Sequence, residues 1–221
     1  MILTVLYGLV NWMDLIVPGV VLLLALIAYV QRSKVSLRHW SRVLILAMVI
    51  YYPLYALIES IAQYEVWSTS GSILSRTLAN QPLSPVMKGL TLWYDLPFMH
   101  TGLGYTIFYS WGRFWLGAVL AISAAALFWF LLKLLQKYKS RFFEDGEVEL
   151  GALTALLVGW PGFVVFIPLV FISVVIVSIF RLIFFKEAYT TLGAPMLFAT
   201  ILFFIWGQQL LTITGFTVLK A

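Results

Sequence analysis

Long apolar runs, separated by short charged clusters, constrain this chain more than any other feature of its sequence. Hydrophobic residues make up 62% of the 221 residues and charged residues only 10%, whereas an average soluble domain holds about 45–50% and about 25%. Several runs reach the roughly 20 residues that a helix needs to cross a bilayer. The sequence therefore predicts an all-α fold, a polytopic membrane helix bundle that forms one integral membrane domain over residues 1–221.

About six transmembrane helices are predicted from these runs. Their approximate bounds are residues 6–30, 43–61, 104–135, 147–160, 163–184 and 195–214. The fourth and fifth divide one apolar stretch, residues 150–180, which would be about 46 Å long as a single helix and too long for one upright span. Trp160-Pro161-Gly162 is a turn signal in its middle, so we divide the stretch there.

The distribution of basic residues predicts the orientation. With six spans, the loops at 31–42, 133–149 and 181–192 lie on one side of the membrane and hold ten of the fourteen Lys and Arg residues. Loops rich in Lys and Arg face the cytoplasm, so both termini are expected on the non-cytoplasmic side. The expected location is a cell inner membrane.

Residues 62–101 differ from the runs on either side. They contain Ser, Thr, Asn and three Pro, but Ile73, Leu74 and Leu78 recur at helical spacing. This pattern favours a long loop on the non-cytoplasmic side, with short helices that lie in the membrane interface. An ordinary solvated loop is the alternative, and the Trp, Tyr and Phe content of the segment speaks against it.

Cysteine and histidine usage excludes several kinds of site. The chain has no Cys, which removes thiol catalysis, disulfides and Cys-ligated metals. His39 and His100 fall on opposite sides of the predicted membrane, so they cannot share a metal ion or a haem. The basic residues lie at membrane boundaries rather than in a patch for nucleic acid. We expect no cofactor, metal or nucleic-acid partner; the expected partners are the lipid bilayer and other membrane protein subunits.

Three ionisable residues fall within predicted membrane helices, where such groups are costly and mark candidate functional sites. Asp14, Glu59 and Arg113 all lie in the predicted non-cytoplasmic half of the bilayer. Together they would form either a structural ion pair or an ion or substrate site of a small transporter. The structural ion pair is favoured, because a transport path normally places polar residues on several helices.

An acidic turn precedes the predicted fourth helix, with Glu144, Asp145, Glu147 and Glu149 close together in the chain. One interpretation is a solvated helix cap, in which Asp145 caps the helix and the glutamates favour its dipole. The other is a set of carboxylates that act at the cytoplasmic mouth of an unusually short helix, about 21 Å long. On that interpretation Glu147 and Asp145 are the candidate catalytic residues.

The C-terminal part of the chain, about residues 125–210, resembles the prepilin peptidase (type IV leader peptidase) family. The resemblance depends on Leu131-Leu132-Lys133-Leu134-Leu135, Gly146-Glu147-Val148-Glu149-Leu150, Ala152, Gly159-Trp160, Ala194-Pro195-Met196-Leu197 and Trp206-Gly207. That family carries a Gly-x-Gly-Asp motif at the head of a short helix, then a Gly-Trp turn and a Pro-containing last helix. The resemblance implies an aspartic protease of the membrane with two aspartates at the cytoplasmic face.

The catalytic aspartates of that family are not retained here. Glu147 stands at the motif's aspartate, Glu144 at its first glycine and Glu149 at its lysine. The second aspartate would fall on Asn11, at the opposite membrane face, and Glu187 is the only carboxylate of another predicted cytoplasmic segment. The resemblance therefore implies a degenerate, prepilin-peptidase-like protein without protease activity. A non-catalytic subunit of a larger membrane complex and a small transporter are the alternatives.

Overall fold

The computed structural model describes residues 2–89, 91, 93–186 and 190–219, with side chains from residue 12 onward apart from that of Phe185. These residues form eight α-helices and no β-strand, so the predicted all-α fold is confirmed. The helices are α1 (Ile2–Val30), α2 (Leu37–Thr69), α3 (Ile73–Ala79), α4 (Gly104–Ser110), α5 (Leu116–Tyr138), α6 (Glu147–Val158), α7 (Gly162–Phe185) and α8 (Gly193–Ile213).

Five helical segments are long and apolar enough to cross a membrane. They are Trp12–Val30, Leu37–Thr69, Gly104–Tyr138, Gly162–Phe184 and Gly193–Ile213. The third joins α4 to α5 through a π-helical segment, Trp111–Trp115. The fourth predicted span, residues 147–160, corresponds to α6, whose 12 residues extend about 18 Å, well short of the roughly 30 Å hydrocarbon core. The chain is thus an integral membrane helix bundle in which α6 is too short to span alone.

The predicted division between the fourth and fifth helices is confirmed. α6 ends at Val158 and α7 begins at Gly162. Gly159 between them has a φ of 64°, a left-handed conformation that glycine adopts without steric cost. Pro161 follows and has no backbone N–H to donate to a continuing helix. The chain therefore has to turn here.

The chain divides into two compact units, residues 15–51 with 118–220 and residues 1–14 with 52–117. In the first, which we call the α6 unit, α7 packs along α8 and α6 packs against both. Every residue of α6 is buried, and Leu150 and Leu153 have no exposed surface. The outward residues of α7 are large and apolar, for example Phe171 at 70% exposure and Ile183 at 65%. Such a surface fits contact with lipid.

The second unit, which we call the loop unit, contains the segment predicted as an interfacial loop. α2 continues to Thr69, so residues 62–69 are helical rather than loop. The rest of the segment contains α3 and two short 3₁₀ turns, Pro85–Met87 and Pro97–His100. The Leu83 amide donates to the Met99 carbonyl at 2.9 Å, and both side chains are buried. The described part of the segment is therefore folded, and its position at a membrane interface stays a prediction.

Candidate functional site

The acidic turn lies at the N-terminus of α6, where the chain approaches the start of α2 closely. Gly146 is the N-cap residue and has a φ of 86°. A Cβ added there would lie 2.5 Å from the Arg38 backbone nitrogen, so only glycine fits. Asp145 was predicted to cap this helix, and that prediction is wrong: the cap is Gly146, without a side-chain hydrogen bond. Gly146 instead allows the chain to pack closely against the backbone of Arg38.

Glu147, the predicted catalytic residue, is completely buried as the first residue of α6. Its Oε2 accepts a hydrogen bond from the Glu144 backbone N–H at 3.0 Å. Its Oε1 accepts one from the Thr191 hydroxyl at 2.7 Å, and the Gly193 backbone N–H also interacts with the carboxylate. Burial raises the pKa of Glu147, while these hydrogen bonds oppose the shift. The side chain thus joins the turn, the α7–α8 connection and the start of α8.

A second carboxylate does lie near Glu147, but a cation lies between them. Arg32 Nη1 is 2.8 Å from Glu144 Oε2 and 3.8 Å from Glu147 Oε1. These are contacts between opposite charges, since this nitrogen has no partner with hydrogen-bond geometry. The guanidinium also lies 4.6 Å from the ring centre of Tyr29, a cation–π contact. Glu187, the other carboxylate considered as a partner, lies outside the described residues.

Asp145, the other predicted catalytic residue, lies in a different environment. Its side chain is 69% exposed and forms an ion pair with Arg38. One helical turn further along α2, Arg42 Nη2 contacts Glu149 Oε1 at 2.9 Å. Arg38 Nε lies 3.8 Å from the same Glu149 oxygen. The acidic turn is therefore matched by arginines of the 31–42 segment, and its two candidate catalytic residues do not face each other.

Sequence reasoning missed these arginines as partners of the acidic turn. The predicted topology had already placed the loops at 31–42, 133–149 and 181–192 at the same membrane face, and the structure brings parts of all three together. The Leu192 amide donates to the Phe142 carbonyl at 3.1 Å, next to the Thr191 contact described above. Opposite charges on loops of one membrane face were the signal that could have identified the pairs. We call Arg32, Arg38, Arg42, Glu144, Asp145, Glu147 and Glu149 the charge clamp.

The other predicted cluster, Asp14, Glu59 and Arg113, lies in the loop unit. Glu59 interacts electrostatically with both Asp14 and Arg113, and Tyr55 contributes a side-chain hydrogen bond to it. Asp14 and Arg113 are exposed and Glu59 is partly exposed. Glu59 is thus within electrostatic range of both Asp14 and Arg113. Whether they form a structural ion pair or line an ion path stays a prediction, and the side chain of Asn11 lies outside the described part of the chain.

Comparison with known proteins gives no assignment: no family model, no curated protein and no solved structure matches this chain.

Proposed function

We propose that this chain is a non-catalytic multi-pass membrane protein built on a degenerate prepilin-peptidase-like core. The observation that carries the proposal is the environment of Glu147, the residue at the position of the motif's aspartate. Its carboxylate has no solvent-exposed surface, and its two oxygens accept bonds from the Glu144 amide and the Thr191 hydroxyl. Proteolysis by such a site needs a water molecule on the carboxylate, and this carboxylate is enclosed by the protein's own donors.

The carboxylate of Glu144, which also contacts Arg32, supports the same conclusion. In an aspartic protease two carboxylates lie directly together and share one proton, which splits their pKa values. Here Arg32 Nη1 contacts both Glu144 and Glu147, so a positive charge occupies the place of the shared proton. Both carboxylates also belong to one turn of the chain, whereas the family draws its pair from two segments. The arrangement suits a structural tie better than acid–base chemistry.

The role that we propose for the charge clamp is to hold the start of α6 against α2. α6 is too short to cross the bilayer and begins with two acidic residues, Glu147 and Glu149. Unpaired charges at this depth would be costly, and the arginines before and within α2 offset them. A clamp with this role lets the short helix stay buried in the bundle. The chain would then act by binding other membrane proteins or membrane-dissolved molecules rather than by chemistry.

The direct test is incubation of the purified protein with a pilin-type signal peptide, with an active prepilin peptidase as the positive control for the substrate. We expect no cleavage by the wild type or by Glu147→Asp, which restores the motif's residue but leaves Arg32 in place. Leader cleavage by the wild type that is lost in Glu147→Gln and kept in Asp145→Asn would overturn the proposal. All three variants are checked for helicity and for elution as a single species, so that loss of fold is recognised.

A further inference from the structure

A cavity of about 570 Å³ opens in the loop unit between α2 and the helix that starts at Gly104. Its mouth is apolar: Leu57, Ile61 and Leu103 are 45%, 55% and 44% exposed. Its floor is buried and polar, with Thr106 at 6% exposure and Ser110 at 4%. Ligand pockets are typically about 300–1,000 Å³, mostly apolar, with a few placed polar groups. This cavity matches that description.

The hydroxyl of Ser110 is the unusual group in the cavity. Its Oγ is buried and has no hydrogen-bond partner, although most buried polar side chains are bonded. The neighbouring hydroxyls are satisfied: Thr106 donates to the Ala79 carbonyl at 3.1 Å and Ser60 to the Ala56 carbonyl at 2.7 Å. Ser110 thus brings a buried hydroxyl without a protein partner to the lining of the cavity, and an acceptor on a ligand that reaches this hydroxyl would satisfy it.

The aromatic walls of the cavity are held in place by other residues. The Trp115 Nε1–H donates to the Ser60 hydroxyl at 3.2 Å. Trp111 packs edge-on against Trp93, with ring centres 5.4 Å apart. Both tryptophans belong to the π-helical segment that follows Ser110 directly, and such segments occur frequently at functional sites. The cavity is therefore shaped in advance rather than formed by loosely packed side chains.

We propose that this cavity binds a membrane quinone, that is, a flat neutral ring carrying carbonyl groups on an apolar tail. The carbonyl would accept the free hydrogen bond of Ser110, and the ring would pack against Trp111 and Trp115. The lining residues carry no charge, so the cavity offers nothing to a phosphate or a carboxylate. The apolar mouth admits a molecule that is dissolved in the bilayer. This proposal is independent of the role proposed for the charge clamp.

The test is saturation binding of a tritiated short-tailed benzoquinone to the protein in lipid nanodiscs. We expect one saturable site. Ser110→Ala should weaken binding about 3- to 10-fold, the effect of losing one hydrogen bond. Its matched control is Ser173→Ala, because Ser173 on α7 also has a buried hydroxyl without a partner but does not line the cavity. That variant should bind like the wild type.

A second pair of variants tests the cavity itself. Leu57→Trp fills the mouth and should abolish saturable binding, whereas Leu54→Trp, on an exposed position of the same helix that does not line the cavity, should leave it unchanged. Non-saturable partitioning, or equal affinity in all four variants, would overturn the proposal. So would displacement by diacylglycerol that is as strong as displacement by unlabelled quinone, since the cavity would then be an acyl-chain groove. If Ser110→Ala does not fold, the Leu57 and Leu54 pair decides.

Discussion

Replacing Glu147 by alanine should destabilise the protein far more than replacing Asp145, although the two carboxylates are neighbours in the chain. Glu147 has no exposed surface. Its removal leaves the Glu144 amide and the Thr191 hydroxyl without their acceptor. A buried donor without a partner costs about 1–3 kcal/mol, and breaking a buried ion pair costs about 3–5 kcal/mol. Arg32 is 33% exposed and keeps its contact with Glu144, so the lost ion pair adds little, and the two lost hydrogen bonds set a total of about 2–6 kcal/mol.

The matched control is Asp145→Ala. The Asp145 side chain is 69% exposed and that of its partner Arg38 is 47% exposed, and surface ion pairs contribute about 0–1 kcal/mol. The free energy of unfolding would be measured by denaturant titration in mixed micelles, followed by far-ultraviolet circular dichroism. If Glu147→Ala loses no more stability than Asp145→Ala, the carboxylate is not the buried anchor described above. Thr191→Val, which removes one of its hydrogen bonds, should cost about 0.5–1.5 kcal/mol.

Three further predictions concern orientation, pH and backbone geometry. The chain has no native Cys, so cysteines placed at the exposed positions Ser33 and Ser140 should resist labelling from outside intact cells; efficient labelling would refute the proposed topology. Burial raises the pKa of Glu147 above 4.5, so the native state keeps this proton at pH values where the unfolded state has lost it. The free energy of unfolding should therefore fall as pH rises from 4.5 to the raised pKa. An equal dependence of the free energy of unfolding on pH in the wild type and in Glu147→Gln would contradict this. Gly146→Ala should lower the free energy of unfolding by at least about 1–3 kcal/mol, since the φ of Gly146 is 86°. Gly19→Ala, with open space around its position, should be neutral or stabilising. Similar losses in the two variants would argue against the close approach of Gly146 to the Arg38 backbone.

Much of the fold follows from local sequence. The lengths of the apolar runs and the helix-breaking Trp160-Pro161-Gly162 predicted the bounds of α6, α7 and α8 to within a few residues. These bounds are set by residues that are adjacent in sequence. The end of α2 was predicted too early, near Ile61. Hydropathy shows where the apolar residues of α2 end. The helix itself continues beyond them, because polar residues also maintain its backbone hydrogen bonds, and it ends at Thr69. A membrane span and a helix therefore need not end together.

The site was predicted only in part, because its partners are distant in sequence. Glu147 and Asp145 were identified from the acidic turn alone. The arginines that hold the turn are separated from it by about a hundred residues; the Arg42–Glu149 contact spans 107 positions. Nothing local distinguishes a carboxylate in a solvated cap from one buried against arginine. Burial of Glu147 depends on how α7 and α8 pack against α6, and that packing joins parts of the chain that are distant in sequence.

The shortness of α6 has a consequence for how the protein enters the membrane during synthesis. Twelve residues are too few for recognition as an independent transmembrane segment, and the acidic first turn opposes partitioning into lipid. α7 and α8 are long and apolar enough to insert on their own. We therefore expect α6 to enter the membrane together with α7, as a helical hairpin, after the arginines that pair with its acidic end have been synthesised. Insertion of this helix is in effect a folding step, guided by segments that were synthesised earlier.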